Sequence, residues 1–308
     1  MSAPLRVVYL AGCGRSGSTL LDNLLGQFDG CFSCGELWHV WRRGLVENRL
    51  CSDGIAFRAH PFWQEVFQRA FGGMDAATNL HAELLALERR ALEVTRQYPR
   101  LAAGAAPRVD ARITPYIEAL GRLYRAIAEV SGAGTLIDSS KYPVYAYMLS
   151  RVPGVSLHVL HLVRDPRAVT YSWQRRRMQP DKNAPMDRHG LPWSLLQWRL
   201  ANAAAESLGN ACAQPYLRLR YEDFVADPRA ALGSVARWLG LDPEQLPLSA
   251  DGSMTTRLNH AFSGNPSRFR AGATALALDD EWRRLMPAWR RHAAQTFSGP
   301  AFARYGYG

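Results

Sequence analysis

The chain has 308 residues, 47% of them hydrophobic and 21% charged, with a formal net charge of +10. That length and balance suit an ordinary globular domain with a sizeable core. No apolar run approaches the ~20 residues of a membrane span, and the N-terminus lacks the charged-then-apolar form of a secretory leader. The positive charge is almost all arginine, since Lys141 and Lys182 are the only lysines. A GC-rich coding bias accounts for most of that preference, but it makes each lysine a candidate for a specific point-charge role. The surplus suits an anionic ligand, a nucleic acid or an acidic surface without choosing among them. Five cysteines give no even disulfide framework, and Cys31-x-x-Cys34 has no second pair to complete a metal site. A reducing, cytoplasmic setting and no metal are expected.

In chain order, residues 6–11 read as a strand, 18–27 as a helix with Leu20, Leu21, Leu24 and Leu25 on one face, and 31–34 as a short strand. Residues 62–71, 80–98 and 112–131 carry helical periodicity, and an Ala/Gly/Pro stretch at 102–107 interrupts them. A strand at 135–138, a helix at 143–150 and a long apolar strand at 155–163 follow. A helix then starts from Pro166, where proline suits a first turn. A helix at 194–209, a strand at 216–219, a helix at 228–239 and a last helix at 279–297 complete the pattern. Alternating strands and helices predict an α/β fold: a central, mostly parallel sheet flanked by helices, with ligands at the C-terminal strand ends. The expected organisation is one domain over residues 1–308, with a helical insertion at about 44–131.

The first strand runs into Gly12-Cys13-Gly14-Arg15-Ser16-Gly17-Ser18-Thr19 and then a helix. Such a turn aims backbone N–H groups and a helix N-terminus at one point, which suits a phosphate. It resembles a Walker A loop (GxxxxGK[ST]) in the spacing of Gly12 and Gly17, but Ser18 stands where the lysine belongs and Arg15 sits inside the loop.

Four further features follow predicted strands. Glu36, in Cys34-Gly35-Glu36, is either a solvated helix-start residue or a general base toward a hydroxyl. Lys141, in Asp138-Ser139-Ser140-Lys141, is either surface charge or a donor to an oxygen on which charge builds. Arg164 ends the long strand, Ser172 lies eight residues on and Arg176 four further; together they could clamp a second phosphate. The alternative is an Arg–Asp helix cap beside a basic exposed face. Tyr221-Glu222-Asp223 follows the last core strand, where acidic residues also suit a helix N-terminus.

Taken together these residues resemble the sulfotransferases that use 3′-phosphoadenosine 5′-phosphosulfate (PAPS). Arg15-Ser16-Gly17-Ser18-Thr19-Leu20 is similar to that family's 5′-phosphosulfate loop, and Arg164 with Ser172 to its 3′-phosphate motif. Tyr221–Asp223 with Trp238–Leu241 is similar to its later YED…WLGL segment. Gly264-Asn265-Pro266-Ser267-Arg268-Phe269-Arg270 is similar to a C-terminal loop that closes over the nucleotide in bacterial members. The loop arginine is similar to the tyrosylprotein and carbohydrate branch, and the Cys34–Glu36 tripeptide is similar to the tyrosylprotein branch, whose corresponding glutamate is the proposed base. The soluble phenol and steroid branch differs, because Tyr142 and Pro143 stand where it has a catalytic histidine.

The resemblance implies a P-loop-type domain that moves a sulfuryl group from PAPS, as co-substrate, to an acceptor hydroxyl. Glu36, Lys141 and Arg15 would act in catalysis. Arg15, Ser16, Gly17, Ser18, Thr19, Arg164, Ser172, Arg176, Tyr221, Arg268 and Arg270 would hold the donor, with Tyr221 at the adenine. His39 and His60 stand next in line as the base. The acceptor would be a small-molecule, glycan or peptide hydroxyl. Two readings compete: a P-loop kinase or NTPase, and a non-catalytic nucleic-acid or polyanion binder suggested by the 174–177 basic run. The oligomeric state is not legible.

Overall fold

Successive side chains of β1 (Leu5–Ala11) enter two different cores: Val7, Tyr9 and Ala11 join one cluster, Val8 and Leu10 the other. A strand with no solvated face belongs at the centre of a parallel sheet covered on both sides. The computed structural model, which describes residues 3–182, 184–249, 253–274 and 276–308, has that form.

After β1 come α1 (Ser18–Leu25), β2 (Cys31–Gly35) and a π-helical turn at Val40–Val46. The helices α2 (Pro61–Phe71), α3 (Met74–Leu92), α4 (Val94–Ala102) and α5 (Thr114–Ser131) follow. Next are β3 (Thr135–Lys141), α6 (Pro143–Ser150), β4 (Val155–Val163) and α7 (Pro166–Gln174). A small hairpin, β5 (Met178–Gln179) and β6 (Ala184–Pro185), precedes α8 (Leu191–Asn210) and β7 (Tyr216–Arg220). The C-terminal third holds α9 (Tyr221–Ala226), α10 (Pro228–Leu239) and a second hairpin of β8 (Met254–Thr256) and β9 (Gly272–Thr274). Three short helices end the chain: α11 (Trp282–Leu285), α12 (Ala288–Ser298) and α13 (Pro300–Arg304).

The sheet order is β2-β3-β1-β4-β7, with every pairing parallel. The chain leaves β1 toward β2 and later returns past it to β4, so the order reverses at the C-terminal end of β1. A crevice opens at such a point. One face is covered by α1, α9 and α10; the other carries α5, α6, α8 and the helices between β2 and β3.

Two helical expectations need correction. Residues 80–98 are not one helix: the backbone turns at Glu93 (φ 20°), a conformation that helices exclude, and α3 and α4 lie on either side. The 279–297 helix is likewise divided, because extended backbone at Met286 and Pro287 separates α11 from α12. Among the described residues no helix is long and apolar enough to cross a membrane.

Candidate active site

The glycine-rich loop is built around two positions that exclude a side chain. Gly12 has φ 130°, and a Cβ there would sit 2.4 Å from the Leu162 carbonyl oxygen. Gly17, the N-cap of α1, has φ 91°, and its Cβ would lie 2.6 Å from the Tyr221 ring. Both are conformations that glycine alone adopts cheaply. Ser16 Oγ donates to the Cys13 carbonyl at 2.6 Å, which closes the loop from within. The N–H groups of the first turn of α1, at Ser18 and Thr19, therefore face the cleft, with the helix dipole behind them.

Arg15 also adopts a left-handed backbone (φ 71°). Its guanidinium lies 4.6 Å over the Trp173 ring and 3.5 Å from the Met186 sulfur, so it braces the loop against α7 and the segment after β6. Its Nε is buried without a hydrogen-bond partner, and burial lowers its pKa below the usual arginine value.

Glu36 and Lys141 come together because β2 and β3 are neighbours, with Gly35 opposite Asp138. Lys141, again left-handed at φ 71°, turns its ammonium onto Glu36 Oε1 and donates to the Ser139 carbonyl at 2.8 Å. The other carboxylate oxygen accepts from Ser263 Oγ at 2.9 Å, with His39 Nε2 3.5 Å and Arg43 Nη1 3.6 Å away. Burial alone would raise the Glu36 pKa, but its cationic neighbours, Lys141 foremost and Arg43 with it, outweigh burial and hold it down to about 2. Burial and the neighbouring Arg43 push His39 well below the ordinary histidine value, so its ring is neutral at pH 7. Beneath the pair, Asp138 accepts from the Ser140 N–H and hydroxyl at 2.8 and 2.5 Å and from Tyr124, fixing the strand end that carries Lys141.

At the other end of the cleft, Arg164 is buried. It donates to the Arg15 carbonyl at 3.0 Å and lies 4.4 Å over the Tyr221 ring. Ser172, buried on α7, and Arg177 open into the same space. Asp165, at the strand end where a kinase would need a magnesium ligand, is spent on capping α7. Its carboxylate accepts from the Arg167 N–H at 2.8 Å and from the Arg167 guanidinium. The cleft joining the two ends has a volume of about 610 Å³. Its outer wall is aromatic, with Trp38 against Tyr142 and Trp193 stacked on His189.

Three sequence expectations fall differently. Arg176 is exposed and does not line the cleft; α7 ends at Gln174 and extended backbone at Arg175 turns Arg177 inward instead. Arg268 is buried, but it forms an ion pair with Asp181 at 2.9 Å and donates to the Gly264 carbonyl, behind the cleft wall. Arg270 is exposed and lies outside the cleft lining. The loop carrying them does cover the site, since Asn265 N–H donates to Thr19 Oγ1 at 3.3 Å. Ser263, Arg43 and Asp279 were missed: no local pattern set them apart, and the fold alone brings them to the cleft. Of the aromatics near the insertion, Trp41 and Trp63 are core, while Trp38 faces the cleft.

Among the described residues, Cys51, Asp53 and His60 place ligand atoms within 4.8 Å of one another. The Phe62 N–H donates to His60 Nδ1, which leaves the ring proton on Nε2, directed at Asp53 2.8 Å away. That is a hydrogen-bonded N-cap for α2 rather than a ring with a free Nε2 lone pair for a metal.

Fold and site thus define an α/β protein with a cationic cleft at the strand ends. Over residues 8–245 the chain matches the sulfotransferase family, and it belongs to that family. It is 31% identical over 180 residues to carbohydrate sulfotransferase 4 of Mus musculus, a match covering 52% of this chain and 44% of that protein. The chain therefore matches less than half the length of this curated relative. Among solved structures, the sulfotransferase domain of the Synechococcus PCC 7002 olefin synthase aligns with a TM-score of 0.53 at 22% identity. That alignment covers 97% of this chain and 96% of the other, and shows the same fold.

Proposed function

We propose that this protein transfers a sulfuryl group from PAPS to an acceptor hydroxyl and releases adenosine 3′,5′-bisphosphate. The observation that carries the reading is the pairing of Glu36 and Lys141 at one end of a cleft whose other end holds Arg164, Ser172 and Arg177. A donor with a reacting 5′ end and a charged 3′ end needs those two poles. The unspent donors fit such a ligand: Arg15 Nε and Arg164 Nε are buried without partners. The first-turn N–H groups at Ser18 and Thr19, beside Ser16 and Gly17, would receive the 5′-phosphate. The Tyr221 ring, held against Gly17, would contact the adenine.

In the reaction the acceptor oxygen attacks sulfur in line, and the bond from sulfur to the 5′-phosphate oxygen breaks. Glu36 takes the hydroxyl proton, and Lys141 meets the charge that builds on the departing oxygen. These roles are coupled. A carboxylate held at about 2 is a weak base, and drawing Lys141 onto the leaving oxygen removes its main stabilising partner. Positioning and electrostatics carry most of the barrier reduction, so the scheme requires neither a metal nor a covalent intermediate.

The acceptor is a glycan, small-molecule or peptide hydroxyl, and the name of the mouse relative favours a glycan. On this reading residues 1–308 act as one domain, with the helices between β2 and β3 on the acceptor side. Its free thiols suit a reducing compartment such as the cytoplasm. The kinase reading is disfavoured by Ser18 at the lysine position and by Asp165, which serves as a helix cap. The polyanion reading is disfavoured because Arg177 of the basic run lines the cleft and Arg175 is paired with Asp279 and Glu281. Thermal stabilisation separates these: adenosine 3′,5′-bisphosphate should raise Tm well above any effect of ATP with Mg²⁺. Preference for ATP would overturn the proposal.

A further inference from the structure

Three guanidinium groups converge on one carboxylate inside the cleft. Asp279, in the segment between β9 and α11, receives Arg175 Nη1 at 3.0 and 2.9 Å on its two oxygens. Arg164 Nη2 reaches the same carboxylate at 3.3 Å and the Asp279 carbonyl at 3.2 Å, and Arg177 Nη2 stands 4.0 Å away. Glu281 takes the other side of Arg175 at 2.7 Å. Ser172 lines the same cleft as Arg164, Arg177 and Asp279. Asp279 is thus the one carboxylate within 4.0 Å of all three arginines among the described residues, with Glu281 sharing Arg175 alone.

The segment that carries it is anchored on both sides, by Leu276 against the core under α10 and by the buried Trp282. The carboxylate itself is 28% exposed, so a side-chain rotation takes it to solvent without unfolding either anchor.

We propose that Asp279 is a built-in counterion occupying the subsite for the donor's 3′-phosphate, displaced when that phosphate binds, and that Arg175 and Arg177 then join Arg164 as its ligands. The inference rests on the donor assignment above. A phosphate monoester brings a charge near −2 and three acceptor oxygens where the carboxylate brings −1 and two, so the exchange favours the dianion. A nucleotide with a bare 3′-hydroxyl cannot drive the exchange and meets a closed set of ion pairs. Asp279 would therefore set a threshold that 3′-phosphorylated nucleotides pass and ordinary adenine nucleotides do not.

Calorimetric titration of the full chain with adenosine 3′,5′-bisphosphate and with adenosine 5′-monophosphate tests this. Asp279→Asn should tighten the bisphosphate about tenfold and leave the monophosphate within about twofold. Arg177→Gln should weaken the bisphosphate about tenfold, again without moving the monophosphate, and it carries the test should Asp279→Asn fail to fold. If the wild type prefers the bisphosphate while Asp279→Asn leaves that affinity unchanged or weaker, or Arg177→Gln leaves it unchanged, this inference alone is overturned. A wild type that binds both nucleotides equally overturns the donor assignment and this inference with it.

Discussion

Replacing Lys141 with alanine should damage two steps at once, and its effects can be worked from the contacts of one nitrogen. Lys141 Nζ touches Glu36 and the Ser139 carbonyl and borders the cleft. Losing a single preorganised donor to a developing oxyanion costs roughly 3–4 kcal/mol in known cases, so kcat should fall by about 10²-fold or more. Donor affinity should change by less than about threefold, because the lost contact strengthens only as the leaving oxygen charges. The second effect is on the base. The Glu36 pKa is held at about 2, well below its ordinary 4.5, so the carboxylate form is favoured. Lys141 is the largest contributor opposing burial. Without it, burial raises the Glu36 pKa toward or above the ordinary carboxylate value. At saturating donor the wild type should thus hold a flat kcat from about pH 7 down to about pH 4, whereas Lys141→Ala should decline across that range. Initial rates across pH, with donor binding measured separately, read both effects. Turnover within about threefold of wild type at pH 7, with an unmoved acid limb, would remove Lys141 from the mechanism and uncouple it from Glu36.

Gly17→Ala should lower Tm and weaken donor binding at least tenfold. Its φ of 91° costs an alanine about 1–2 kcal/mol, and the new Cβ meets the Tyr221 ring at 2.6 Å. An unchanged Tm and affinity would show that the loop relaxes freely. Asp22 makes a pH prediction of opposite sign to Glu36. Buried on α1 and hydrogen-bonded to Ser33, it has its pKa raised by burial from 3.8 to about 8. The folded state therefore keeps a proton that the unfolded state releases. The associated stability is complete below about pH 4 and is lost as pH rises through about 8, by up to roughly 1.4 kcal/mol per pH unit. Asp22→Asn should flatten that decline in urea unfolding measured between about pH 5 and pH 8, and parallel curves for the two proteins would refute it.

The parts of this molecule that were legible in sequence are those whose signal is local. β1 and β4 are predominantly apolar because both their faces are largely buried, and the loop after β1 declares itself through Gly12 and Gly17, where only glycine fits. Glu36 and Arg164 stand directly after strands and Lys141 ends one, so the register of the sheet brings them to one edge without long-range information. The hairpins β5–β6 and β8–β9 have strands of two and three residues, too short for any period to show. Arg268 matched a motif but serves Asp181, a partner in a distant loop that only tertiary structure brings near. The exchange of Arg176 for Arg177 turned on a single residue, Arg175, leaving helical backbone. Ser263 and Asp279 lie in irregular segments whose chemistry appears only when those segments cross the cleft.

Transfer of label is the most direct measurement of the central claim. The protein should be incubated with PAPS carrying ³⁵S and a panel of glycan, phenolic and peptide hydroxyl acceptors. The account predicts that the label moves to one acceptor class, with adenosine 3′,5′-bisphosphate released in equal amount and Glu36→Gln nearly inactive. Label that stays in the donor across the panel, while ATP with Mg²⁺ is consumed in its place, would contradict it.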